Sequence, residues 1–339
     1  MSAFQFFSRF FLCAVAALGC AAGIVSGRAH AQEPGDGKKI DMARPTWNTG
    51  WFQAEVYKRM LEKLGYDVGE LKTLDNPVFY RAVGNGDVDL WVNAWFPFAE
   101  IYEDAYKGRA SKTGYVAKGG AMQGYLVDKA SAEKFGITSI DDFKKPEIKE
   151  AFDSNGDGKA DLVACPPGWS CEVRIEEHLD ALGLRNHINP IKAGYASAMA
   201  DALGRYKAGE PILFYTWTPN WTVGILKPGT DVVWIEMPNA TEETTHSGIK
   251  GCVKDPCALG WEANDIRPLA NNDFLAENPA AETLLKEARI PVADIFAQNA
   301  EMRAGEDEAE DIVRHASEWI AANAERVNGW LDKARAAAQ

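Results

Sequence analysis

Short apolar strands alternate with amphipathic helices along this chain, and that alternation limits its fold more than any other feature. VDLWVNA (Val88 to Ala94), PILFYTW (Pro211 to Trp217) and Val232 to Ile235 have the length and apolar character of buried strands. Helical patterns lie between them. Phe52, Val56, Met60 and Leu64 recur every four residues; Asn48 or Thr49 is placed to cap this helix and Gly65 to end it. Asn76 to Val83, Ala198 to Lys207 and nearly all of Ala280 to Ala338 also read as helix, and Ser139 opens a short capped one. Strand–helix–strand order implies an α/β fold, with a mainly parallel sheet covered by helices on both faces. A chain of 339 residues exceeds one ordinary core, so two lobes are expected. Gly119 to Val127 is a glycine-broken strand suited to crossing between them.

Residues 1–31 stand apart. Phe10 to Val25 is apolar or small, and Ala29-His30-Ala31 has the A-x-A form of a signal-peptidase site. The segment reads as a secretory signal cut after Ala31, which places the mature chain in the periplasm. The apolar run is short for a membrane anchor. Ala17-Leu18-Gly19-Cys20 is a poor match to a lipoprotein site. Cleavage removes Arg9 and Arg28 and no acid, which moves the formal charge from −13 to −15. Such an acidic surface argues against a nucleic-acid partner.

Cleavage also removes Cys13 and Cys20. The other four cysteines form two tight pairs, Cys165/Cys171 and Cys252/Cys257. In an exported chain these point to two short disulfide loops. Zinc is the rival reading, but it needs ligands converging from two distant segments with no C-x2-C spacing.

Eleven tryptophans are present, and three sit where packing does not demand them. Trp95 and Trp217 end apolar strands, and Trp169 lies on the Cys165–Cys171 loop. In open α/β sheets ligands bind beyond the carboxyl ends of the strands. Aromatic faces there can surround a cation, each contributing roughly 0.5–2 kcal/mol. Singly, each tryptophan reads as packing; together they read as a cage. Main-chain N–H groups of Gly168, Ser170 and Cys171 can converge on an anionic oxygen. Trp319 and Trp330 read as helix packing.

The stretches AMQGYLVDK, FDSNGDGKADL, CPPGWSCE, RYKAGEPILFYTWTPNW, LKPGTDVVW and PVADIFAQNAEM make the pattern specific. Over residues 39–335 the chain resembles the periplasmic glycine betaine/proline betaine-binding proteins of ABC importers. The resemblance implies a two-lobed periplasmic-binding-protein fold of type II with a hinge. Lobe one would hold 33–118 and 258–339, lobe two 119–257, with the ligand in the cleft. It implies a box of Trp95, Trp169 and Trp217 around a methylated ammonium head, and a carboxylate clamp on the N–H groups of Ser170 and Cys171. It also implies a monomer that serves a membrane permease and its ATPase. A sensor or chemoreceptor-linked binding protein would use the same fold.

Two departures bear on the ligand. Ala99 stands where the family has a clamp histidine, which removes a charge-assisted donor typically worth about 1.5–3 kcal/mol. Trp47, just before the first helix, offers a fourth wall; packing on that helix is its other reading. Trimethylamine N-oxide-binding proteins of this group use such a tryptophan-rich box. The expected ligand is therefore trimethylamine N-oxide or glycine betaine, with a lean to the former. Choline, carnitine and proline betaine are alternatives, and an enzyme acting on methylated amines is the rival from another class.

Asp153, Asn155, Asp157, Lys159 and Asp161 fit positions 1, 3, 5, 7 and 9 of a calcium loop, with Gly158 at the sharp turn. Position 12 is Ala164, so Glu172 or water would complete the shell around a structural Ca2+. A solvated turn rich in Asp and Gly is the plainer alternative. His178, His187, His246 and His315 lie near no nucleophile motif, and neither G-x-S-x-G nor H-E-x-x-H occurs. No catalytic residue is expected.

Overall fold

The computed structural model describes residues 32–339; the proposed signal, with Cys13 and Cys20, lies outside them. Among the described residues no helix is long and apolar enough to cross a membrane.

The helix Trp51–Glu62 shows how sequence period becomes burial. Phe52, Val56 and Met60 on it, and Leu64 just past its end, are each at most 1% exposed. Burial of such side chains contributes about 1.5–3 kcal/mol each. The start of the helix differs from expectation. Asn48–Gly50 form a 3-10 turn in which the Gly50 N–H bonds to the Trp47 carbonyl, and no side chain caps either element. Asn48 and Thr49 lie inside that turn, so neither is free to act as the cap.

Among the described residues ten strands form one sheet. Along its path the order is Lys72–Leu74, Met42–Pro45, Leu90–Phe96, Asn264–Asn271, Ala117–Asp128, Leu213–Thr218, Ala160–Val163 and Ile188–Ile191. Val232–Ile235 and Ala110–Lys112 pair beside this path. The three strands at each end are parallel to one another. The two long central strands, Asn264–Asn271 and Ala117–Asp128, run antiparallel to their neighbours and to each other. The sheet is therefore mixed rather than mainly parallel. The strand that leaves the first half and the one that re-enters it travel in opposite directions through the middle.

Ala117–Asp128 serves both halves. Its first residues pair with Asn264–Asn271 and its later ones with Leu213–Thr218 and Val232–Ile235. Gly119 and Gly120 mark the passage with φ of 68° and 74°, a region open to glycine without strain. Buried apolar residues follow the same division. One cluster spans Tyr125 to Trp261 together with Phe98; two others draw on Ile40 to Ala121 and Ile266 to Ala334. Leu259 and Trp261 pack in the former, so the chain recrosses at Asn264–Asn271.

Both cysteine pairs are disulfides, Cys165–Cys171 and Cys252–Cys257, so neither pair offers a thiolate to zinc. In the C-terminal helices Trp330 is buried against the core. Trp319 donates its indole N–H to Asp294 and packs edge-on to Phe52.

Candidate functional site

Two pairs of parallel strands deliver four tryptophans to one place. Trp47 follows Met42–Pro45 by two residues, and Trp95 and Trp217 lie at the carboxyl ends of their strands. Trp169 follows Ala160–Val163 on the disulfide-closed loop and sits directly before the helix Ser170–Ala181. All four line one cleft, with about 420 Å³ of atom-free space counting its mouth. That size suits a small solute and not a polymer.

The rings are held in position. Asn93, buried mid-strand, accepts from the indole N–H of Trp47 at 3.0 Å and of Trp95 at 3.2 Å. Trp47 meets Trp169 edge-on with centroids 5.2 Å apart, and Trp169 meets Trp217 likewise at 5.6 Å. Trp217 also packs on Tyr195 at 4.7 Å. The Trp47 ring faces Trp169 and Trp91, while Trp51 on the first helix stacks under Arg44.

Ser170 and Cys171 line the same cleft. They are the first two residues of a twelve-residue helix, so their main-chain N–H groups have no acceptor within it. A helix start favours negative charge. Gly168 has φ of 91°, and a Cβ there would come within 3.0 Å of the Asp75 carboxyl. The loop thus approaches the first half of the molecule closely.

Asn76, Tyr80, Phe98, Ala99, Gln123 and Tyr215 complete the lining. Sequence reasoning missed all of these except Ala99, and missed Asn93 behind them. Among the described residues the lining holds no Lys, Arg, His, Asp or Glu. Its phenols stay neutral: burial pushes Tyr80 and Tyr215 well above the ordinary tyrosine value, and neighbouring phenols add to this.

The Asp153–Asp161 loop lies outside this cleft and closes on itself. Asp153 accepts from the N–H groups of Gly156, Asp157 and Gly158. Those bonds outweigh desolvation and hold its carboxyl below the usual range. Asp161 accepts from Ser154 and Asn155, and Asp157 from Lys159 N–H and Asn189. Among the described residues no three His, Cys, Asp or Glu side chains converge as a metal site would require. Glu172, expected as a further ligand, pairs with Lys192 instead.

A two-lobed α/β receptor with an aromatic cleft is the class this geometry defines. Residues 38–322 match the family described as the substrate-binding domain of ABC-type glycine betaine transport systems, and the chain belongs to it. The glycine betaine-binding periplasmic protein OusX of Dickeya dadantii is 38% identical over 310 residues, covering 90% of this chain and 92% of that one. The trimethylamine N-oxide-binding protein of Pelagibacter ubique is 25% identical over 300 residues, covering 84% and 88%. Lactococcal OpuAC, solved closed around glycine betaine, shares the fold with a TM-score of 0.66 at 20% identity, covering 87% of this chain and 99% of that one. The chain is thus a solute-binding component of ABC transport and not an enzyme.

Proposed function

We propose that this protein captures a small, net-neutral methylated ammonium zwitterion in the periplasm and presents it, as a monomer, to the permease and ATPase of an importer. The observation that carries this reading is four tryptophans around a cleft that has no charged side chain. Indole faces attract the ammonium head, and each contributes roughly 0.5–2 kcal/mol when desolvated. A net cation such as choline would bring an uncompensated charge into this neutral lining, which is costly to bury. A zwitterion carries its own counter-charge and places it against the N–H groups of Ser170 and Cys171.

Glycine betaine is the first candidate, supported by the names of the more similar relatives. Trimethylamine N-oxide is the second, supported by the Trp47 wall and by Ala99, which offers a carboxylate no imidazole. Export through cleavage after Ala31 is part of the same proposal and is supported by the periplasmic relatives. A structural calcium at Asp153–Asp161 is a separate proposal, supported by the oxygen-only donor set and the Gly158 turn, where φ is 81°.

Calorimetry against glycine betaine, trimethylamine N-oxide, proline betaine, carnitine and choline tests the ligand. Tightest binding of glycine betaine or trimethylamine N-oxide is expected, and a clear preference for choline would overturn the neutral-lining argument. NMR recovery of unchanged ligand is also expected; turnover would restore the enzyme reading.

A further inference from the structure

Gln123 is a polar residue in the middle of an apolar strand, and it is 3% exposed. Its cross-strand partner is Trp217. Directly opposed residues of an antiparallel pair project from the same face, so the carboxamide stands beside a cage wall. Tyr215, two residues before Trp217, shares that face and donates its O–H to Gln123 Oε1 at 2.6 Å. This bond fixes the amide's orientation. The other end, Nε2, is buried and has no partner among the described residues, yet the residue lines the cleft. A buried donor left unpaired is unfavourable, and native structures rarely retain one without a use.

We propose that Gln123 is a specificity-determining residue whose Nε2–H donates to the oxygen-bearing end of the ligand. The proposal rests on the zwitterion reading above. It answers the loss of the family histidine at Ala99: the polar end is met by a neutral amide from the crossing strand, not by an imidazole from the loop after Trp95. Ser170 and Cys171 then supply main-chain donors from the second half of the molecule. A neutral donor suits an oxygen whose charge is already balanced within the ligand. It also gives the cleft a means to separate ligands with an acceptor oxygen from bare tetraalkylammonium ions.

The test compares glycine betaine with tetramethylammonium, which has the same head and no oxygen. Both are titrated by calorimetry into wild-type protein and into Gln123→Leu, which keeps the bulk and removes the donor. Betaine affinity is expected to fall about tenfold or more, while tetramethylammonium stays within about threefold. Gln123→Glu, which puts a negative charge in the same place, is expected to weaken betaine and tighten tetramethylammonium. Equal weakening of both ligands by Gln123→Leu overturns the proposal by reducing Gln123 to packing, and so does weakening of neither. Wild-type protein that binds neither ligand overturns the zwitterion reading itself, and this proposal with it.

Discussion

The Trp169 indole N–H donates to Thr46 Oγ1 at 2.9 Å, tying the disulfide loop of one half of the molecule to the strand end of the other. Thr46 in turn donates to Asp75 Oδ1 at 2.9 Å. Beside it Asn76 Nδ2 donates to Ser170 Oγ at 2.7 Å. The Trp169–Thr46 and Asn76–Ser170 bonds join the two halves, so they favour the closed state that surrounds the ligand. Thr46→Val keeps the shape and removes both bonds of the hydroxyl. One such bond is typically worth about 1 kcal/mol, so ligand affinity should fall about fivefold, with little change in the ligand-free melting temperature. Tryptophan fluorescence titration reads this directly. An unchanged affinity would show that the contact plays no part in closure.

Trp169 packs on two other tryptophans of the cage, Trp47 and Trp217, and also meets Tyr195. Trp169→Ala removes one cation–π face and exposes the others to water. Affinity for the preferred ligand should drop at least thirtyfold, about 2 kcal/mol. A loss under about threefold, roughly 0.7 kcal/mol, would mean the cage is elsewhere. Circular dichroism of the variant separates lost binding from lost folding.

The two tryptophans at strand ends and the one on a stapled loop were legible only as a group, because each alone reads as packing and ligands of open α/β sheets bind beyond strand ends. The two disulfides were legible from cysteine spacing. Asn93 and Gln123 were not, although each leaves a trace as a polar residue inside the apolar runs LWVNA and AMQGYLV. Whether such a residue faces a cleft or a neighbour depends on cross-strand register. For Gln123 that register is set against Trp217, far away in the chain. Strand direction was hidden for the same reason. The antiparallel run of the two central strands is a property of their pairing, not of either segment.

His178 carries a pH signature. It is buried, with Nδ1 3.0 Å from the Tyr125 hydroxyl. Burial, with the nearby Arg174 charge second, lowers its pKa from 6.5 to about 4. The folded state therefore holds a neutral imidazole, whereas the unfolded chain binds a proton near pH 6.5. The stability this provides is full above pH 6.5 and is lost as pH falls towards 4, amounting to roughly 3 kcal/mol. Urea unfolding at pH 7 and pH 4.5 should show a smaller loss for His178→Gln than for wild type. Equal losses would mean that His178 does not contribute to the acid limb.

The Asp153–Asp161 loop has two readings that melt differently. As a calcium site it stabilises only the folded protein, by about 2.7 kcal/mol when free calcium is about a hundredfold above its Kd. As a self-closed turn it is indifferent to calcium, because Asp153 and Asp161 already have N–H and hydroxyl donors. Calcium at millimolar level is expected to raise the melting temperature of chelator-treated protein by several degrees. Asp157→Asn should abolish that rise and lower the chelated melting temperature only slightly, since an Asn oxygen still accepts from the Lys159 N–H and only the exposed bond from Asn189 is lost. Melting that ignores both calcium and chelator would leave the loop as a turn held by its own hydrogen bonds. The Trp169 loop that follows in the chain would then owe its stiffness to the Cys165–Cys171 disulfide, the Thr46 bond and the aromatic contacts of Trp169.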